Sequence, residues 1–294
     1  MRNGLQKGQT PDRMIQKPVF EGYGAGTEKS KRVRAATIVR ILIITVVSAG
    51  ALFLLSRASL FSISAIDVTG IQYYSKSQII DISGLSIGQN GFQALGMQNI
   101  FDFFALRCTK VEKDIIESCP YVKKVYAKYR MPDKILIEIE ERSRSVVIPY
   151  QGFGLLLDDE GYVIDVVRDH QDTGLPIVRG VSFDKYALGS KLVAESDMYI
   201  DIVITLISAI RQSDMDTADK LSNVIDSIDV SDLKNIKLFI GDRFVVNLGD
   251  GSDIYYRVSA LREIYYDGLT SGERGIIDFS RGNKPFFEPE PVNV

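Results

Sequence analysis

V-K-K-V-Y-A-K-Y-R (Val122–Arg130) and K-I-L-I-E-I-E (residues 134–140), separated by Met131-Pro132-Asp133, decide how this chain folds. In the first run Val125, Ala127 and Tyr129 alternate with Lys124, Tyr126, Lys128 and Arg130. In the second, Ile135, Ile137 and Ile139 alternate with Lys134, Leu136, Glu138 and Glu140. A period of two with one apolar face marks a half-buried strand, and two such runs around a short break make a hairpin. Upstream, residues 63–69 (I-S-A-I-D-V-T) read as a strand ended by Gly70, and residues 75–82 as a short helix stopped at Gly84. Residues 109–118 read as a second helix ended by Pro120, with Thr109 and Glu112 spaced as a capping box and Val111, Ile115 and Ile116 on one face. Strand, helix, helix, strand, strand implies two helices covering one face of a three-stranded sheet over residues 60–143. The run 100–106 (I-F-D-F-F-A-L) is either a partly buried loop or an exposed apolar patch.

Before this unit, residues 35–57 contain A-A-T-I-V-R-I-L-I-I-T-V-V-S-A-G-A-L-F-L-L-S-R, whose part from Ile41 to Leu55 carries no charge. With its upstream extension it supplies the roughly 20 residues that a membrane-spanning helix needs. Arg40 lies near one end, where its long side chain can reach the interface. Residues 1–40 hold nine cations against three anions, so the remainder of a chain of net charge −3 carries about −9. The cation excess predicts a cytoplasmic N-terminus and an extracytoplasmic C-terminus. An uncleaved anchor is preferred to a signal peptide because the leader is long and Ser56-Arg57-Ala58 is a poor cleavage site. Residues 1–34 read as a disordered cytoplasmic tail, whose Lys29–Arg34 cations are read as setting orientation in preference to binding anionic lipid heads. The acidic exported part argues against general nucleic-acid binding.

Residues 144–287 read as a second, mainly β domain. Expected strands are 154–157, 162–167, 224–230, Ile236–Ile240, 243–248, 275–280 and 284–287. Residues 198–210 and the spacing of Ile254, Val258, Leu261 and Tyr265 predict helices, and residues 288–294 a flexible tail. The fold class is therefore α+β, with one N-terminal transmembrane helix, a β-α-α-β-β domain and a mainly β domain carrying helices.

Catalytic signals are weak. His170, the only histidine, lies among polar residues with no base–nucleophile spacing around it. Asp158-Asp159-Glu160 reads as a solvated hairpin turn, and residues 213–219 lack the glycine and terminal glutamate of a calcium loop. No catalytic residue, metal site or cofactor is expected. Cys108 and Cys119 flank the second helix, about 16 Å apart by helical rise, so free, partly buried thiols are favoured over a disulfide.

Cys119-Pro120-Tyr121-Val122, Met131-Pro132-Asp133 and Glu141-Arg142 resemble the P-x-V, inter-strand proline and E-R of the POTRA domain in the FtsQ/DivIB family of bacterial cell-division proteins. Ile63 to Gly70 resembles that family's first strand with its V-x-G ending, and Gly84 to Asn90 its G-L-x-x-G-x-N element. Leu157 to Ile164 and Leu175 to Gly180 resemble its L-x-D-x-x-G-x-V hairpin and L-P-x-I-x-G. The resemblance implies a non-enzymatic, membrane-anchored scaffold of the division machinery, bridging early and late septal proteins. It implies enrichment at the septum, septal wall-synthesis proteins as neighbours, and FtsB/DivIC-like and FtsL-like membrane partners by strand addition at the C-terminal edge. The matching partner positions are Asp278, Phe279, Ser280, Arg281, Phe286 and Phe287, with one of the two final phenylalanines expected to remain available as an anchor. The alternative is a POTRA-type component of protein export or outer-envelope assembly, disfavoured because little chain after Phe287 remains for a membrane barrel.

Overall fold

The computed structural model describes residues 25–95, 100–168, 173–270, 272–282 and 284–290; residues 1–24 of the expected tail, His170 and residues 291–294 lie outside them. The chain divides after Ala58 into an N-terminal unit and a larger one. Helix α1 runs Ala25–Ser56, and its stretch Ala36–Ser56 has a mean hydropathy of 2.5 and is nowhere buried by protein. Those 21 residues rise about 31 Å, enough to cross the hydrocarbon layer. The Thr45 hydroxyl donates to the Ile41 carbonyl at 2.9 Å, which satisfies it without water. The helix starts at Ala25 rather than near residue 35, because T-E-K-S-K-R-V-R-A contains no glycine or proline to stop propagation from the apolar stretch.

The first domain contains β1 (Ala65–Thr69), α2 (Lys76–Ser83), α3 (Ile100–Phe104), α4 (Thr109–Ser118), β2 (Val122–Arg130) and β3 (Lys134–Glu141). The sheet order is β1-β3-β2, with β1 parallel and β2 antiparallel to β3. Val125, Ala127, Tyr129, Ile135, Ile137 and Ile139 all face the core, as the alternation requires. A capping box between Ser75 and Gln78 opens α2, and left-handed Gly84 closes it. Gly70 is also left-handed (φ 81°), and a Cβ there would lie 1.9 Å from the Ile139 carbonyl oxygen, so only glycine fits between β1 and β3.

At α4 the expected capping box is absent. Cys108 is the N-cap residue without a side-chain bond, and Glu112 is buried. Its carboxylate accepts the Ala127 N–H at 2.9 Å and the Arg107 Nε–H at 2.8 Å, which ties α4 to β2 instead. Ile116 is largely exposed, because Val111 and Ile115 already take the inward face. Both cysteines are buried and free; burial pushes the Cys108 thiol up to about 12, and the Cys119 thiol is raised for the same reason.

The second domain is built on β4 (Val146–Tyr150), β5 (Phe153–Leu157), β6 (Val163–Val167), β7 (Ile177–Arg179), β8 (Ile225–Asp229), β9 (Ile236–Ile240), β10 (Phe244–Gly249), β11 (Gly275–Asp278) and β12 (Phe286–Pro289). These form one sheet in the order β12-β11-β10-β9-β8-β7-β4-β5-β6. Helices α5 (Asp197–Ser213) and α6 (Ile254–Glu263) share a core with one face of it, through Val203, Leu206, Ile210, Val258 and Leu261. β4 is not among the expected strands: Val146, Val147 and Ile148 are buried in succession rather than alternately. Both sheet faces are covered there, which removes the period-two signal. β12 continues to Pro289, into the expected tail, because Gly275–Asp278 supplies it with an antiparallel partner.

The face of β4, β5 and β6 away from the helices packs on the first domain: Tyr121 joins Val147, Leu156 and Ile164 in one small core, with Tyr74 against it. Tyr121 is stacked by Tyr73 with ring centroids 3.7 Å apart, and its hydroxyl donates to Asp165 at 2.9 Å. Glu141 accepts the backbone N–H groups of Gln72, Tyr73 and Tyr74. The next residue, Arg142, donates to Asp158 at 2.5 Å and to Glu160 at 3.2 Å, with its guanidinium 3.6 Å from the Tyr162 ring centroid. The expectation of a solvated acidic turn is therefore corrected: Asp158 is fully buried, paired, and accepts the N–H groups of Glu160 and Tyr162.

Ile137→Asp should destabilise the protein by several kcal/mol, since it places an unpaired charge in the sheet's inner face, whereas exposed Glu138→Ala should change it by under about 0.5 kcal/mol. Denaturant titration measures both, and equal effects would mean the faces are misassigned. Asp158→Asn should cost at least about 2 kcal/mol by leaving buried Arg142 short of its main counter-charge. An unshifted denaturation midpoint for that variant would show that the pair does not hold the joint.

Candidate partner interface at the sheet edge

After α6 the chain makes a π-helical turn (Ile264–Gly268) and returns to the sheet beside β10. Arg243 organises the return: its guanidinium donates to the Thr270 carbonyl at 2.8 Å and the Glu273 carbonyl at 3.2 Å. Its own carbonyl accepts the Gly275 N–H at 2.9 Å and so starts β11 parallel to β10. A Cβ at Gly275 would lie 2.1 Å from the Glu288 carbonyl oxygen, so the β11–β12 pairing depends on glycine there. Beyond β11, Asp278 accepts the Ser280 N–H at 2.8 Å and the Phe279 N–H reaches the Asn247 carbonyl, which turns the chain toward β12. β12 is the end strand of the sheet, and its outer side has no strand partner among the described residues. An edge of this kind offers unpaired N–H and C=O groups to an incoming strand.

The six positions expected from the sequence do not share one surface. Phe279 is fully buried in the core and cannot touch a partner in the folded state. Phe287 lies opposite Ile277 and packs inward, its ring centroid 6.3 Å from that of Phe244. Phe286 lies opposite Asp278 on the other face and is 55% exposed. Ser280 and Arg281 are exposed in the β11–β12 connection, with Arg281 Nε 3.9 Å from the Asp278 carboxylate. The outer surface thus gathers Asp278, Ser280, Arg281 and Phe286, and excludes Phe279 and Phe287.

The sequence reading missed the row beside them. Register places Phe239, Val245, Ile276 and Glu288 side by side across four strands, and Ile276 is 43% exposed. Phe239, Val245, Ile276 and Glu288 line part of a groove of about 480 Å³ that reaches the edge. The signal was present in G-I-I-D-F: with Ile277 and Phe279 inward, a period of two must turn Ile276 outward. An open strand edge flanked by an aromatic, an aliphatic row and both signs of charge is suited to binding an extended segment of another protein. Among the described residues, no group of three or more His, Cys, Asp or Glu side chains could hold a metal ion.

Comparison with known proteins bears on most of the chain. Residues 61–142 match the family model described as a POTRA domain, FtsQ-type. Cell division protein DivIB of Clostridium botulinum is 21% identical over 264 residues, covering 88% of this chain and 93% of the relative. DivIB of Clostridium acetobutylicum is 21% identical over 228 residues, covering 77% and 82%. Cell division protein FtsQ of Corynebacterium glutamicum is 24% identical over 197 residues, covering 67% and 72%. With one N-terminal apolar helix, an FtsQ-type POTRA domain over residues 61–142 and a large sheet domain after it, the chain is similar to the DivIB and FtsQ cell division proteins over most of its length.

Proposed function

We propose that this protein is a non-enzymatic scaffold of the division machinery, anchored by α1 and enriched at the septum, with its N-terminus cytoplasmic and both folded domains extracytoplasmic. In this role it bridges early and late septal proteins beside the wall synthases. Its β12 edge accepts a strand from an FtsB/DivIC-like membrane protein, with an FtsL-like protein in the same assembly. The observation that carries this reading is the open β12 edge with Phe286 turned outward beside Ile276 and Arg281. Aromatic anchors on such an edge tend to dominate binding energy.

Two measurements test it. With the purified full chain and the partner's extracytoplasmic segment, Phe286→Ala or Arg281→Glu should weaken binding at least about tenfold, or 1.4 kcal/mol, without moving the melting temperature by more than a few degrees. Unchanged affinity in both variants would place the interface elsewhere. For orientation, a cysteine at Thr10 should resist a membrane-impermeant thiol reagent on intact cells, while one at Asp250 reacts. The native thiols are buried and stay silent in this assay. The opposite labelling pattern would refute the orientation.

A further inference from the structure

The first domain exposes an apolar patch that strand addition at β12 does not use. In α3, Phe101 is 80% and Phe104 76% exposed, a level unusual for phenylalanine. Leu60, at 64%, and Met131, at 55%, are exposed as well. These residues come from three separate segments that hydrogen bonds gather at one end of the domain. The Tyr129 N–H donates to the Leu106 carbonyl at 2.8 Å, two residues beyond α3. The Tyr129 hydroxyl donates to the Pro132 carbonyl, beside Met131, and lies 3.4 Å from the Phe61 carbonyl, beside Leu60. The Ser64 N–H donates to the Asp133 carbonyl at 2.7 Å, closing the hairpin tip onto the segment that enters the domain. Arg130, next to Met131, is exposed too.

Chain length says what this end meets. Only residues 57–60 separate Ser56, the last residue of α1, from Phe61. Even fully extended, at about 3.5 Å per residue, that link keeps Phe61 within roughly 18 Å of the end of α1. A bilayer's headgroup layer occupies several Å of that span by itself. Exposed aromatics and aliphatics with a cation beside them have the composition of surfaces that settle at the boundary between headgroups and acyl chains.

We propose that Phe101 and Phe104, supported by Leu60 and Met131, form a membrane-interface foot. It inserts into the lipid surface of the bilayer that α1 spans and restrains the first domain against it. The proposal rests on α1 being a membrane span.

The chain contains no tryptophan, so a single introduced one reports its own surroundings. Full-length variants F53W, F101W, F104W and Y256W are reconstituted into phosphatidylcholine–phosphatidylglycerol vesicles with and without brominated acyl chains. Phe101 and Phe104 are exposed, so tryptophan at either leaves the core unchanged. Bromolipid should quench F101W and F104W at least about twofold with blue-shifted emission, as expected for interfacial insertion. F53W, within α1, should also be quenched, and Y256W, on α6, should keep a water-like, unquenched spectrum. Quenched F53W with unquenched F101W and F104W would overturn the foot alone. Blue-shifted but unquenched F101W and F104W would assign the patch to protein, such as a second copy, and would overturn it too. Quenching of Y256W to the same degree would reveal general adsorption rather than a foot. An unquenched F53W would remove the span and the foot together.

Discussion

The pair of Arg142 with Asp158 is the constraint on which the arrangement of the two folded domains depends. Glu141 and Arg142 are consecutive at the end of β3, so their side chains leave in opposite directions. Glu141 reaches back to the N–H groups of residues 72–74 in the first domain, and Arg142 reaches forward to the β5–β6 turn of the second. Removing both charges from water is costly, and the geometry offsets that cost. Asp158 accepts two backbone N–H groups besides the guanidinium, and the guanidinium lies over the Tyr162 ring. At the rim of the joint, the Lys123 ammonium bonded to Glu160, with Arg142 nearby, holds the Glu160 carboxyl below the usual range. A folded-state pKa lowered in this way adds stability that is complete above the ordinary glutamate value of about 4.3 and fades as pH falls through the lowered one.

The joint also explains the asymmetry of the nine-stranded sheet. At its β4-β5-β6 end, one face meets the helices and the other meets Tyr121 and Tyr74. At its β12 end only the inner face is covered, while Phe286 and Ile276 stand on the open one. Closing one end of the sheet with the first domain leaves one face of the opposite end exposed. The β12 edge is positioned by the Arg243 guanidinium on the Thr270 carbonyl, by the close approach that Gly275 permits and by the packing of Phe287 on Phe244.

Several readings failed where a tertiary contact replaced a local one. Thr109 and Glu112 have the spacing of a capping box, yet Glu112 bonds across to Ala127 and Arg107 because the β2 edge lies within its reach. Asp158 looked solvated because a turn of three acids ordinarily is, and Arg142 is sixteen positions away in sequence. Phe279 and Phe286 both stand among the partner positions that the resemblance implies. The turn that Asp278 caps sends one into the core and the other to the surface.

By itself the sequence determined what local periodicity and length control: the apolar helix, the hairpin of β2 and β3, the stop of α2 at Gly84, the helix–strand order of the first domain apart from α3, and the family resemblance. Each rests on neighbours within a few residues, where side-chain direction follows from the backbone repeat. Tertiary structure alone decided the parallel pairings of β4, β7 and β8, the burial of Asp158 and Glu112, and which C-terminal phenylalanine faces out. These depend on which distant surface arrives to desolvate or pair a group, and no window of sequence contains that surface.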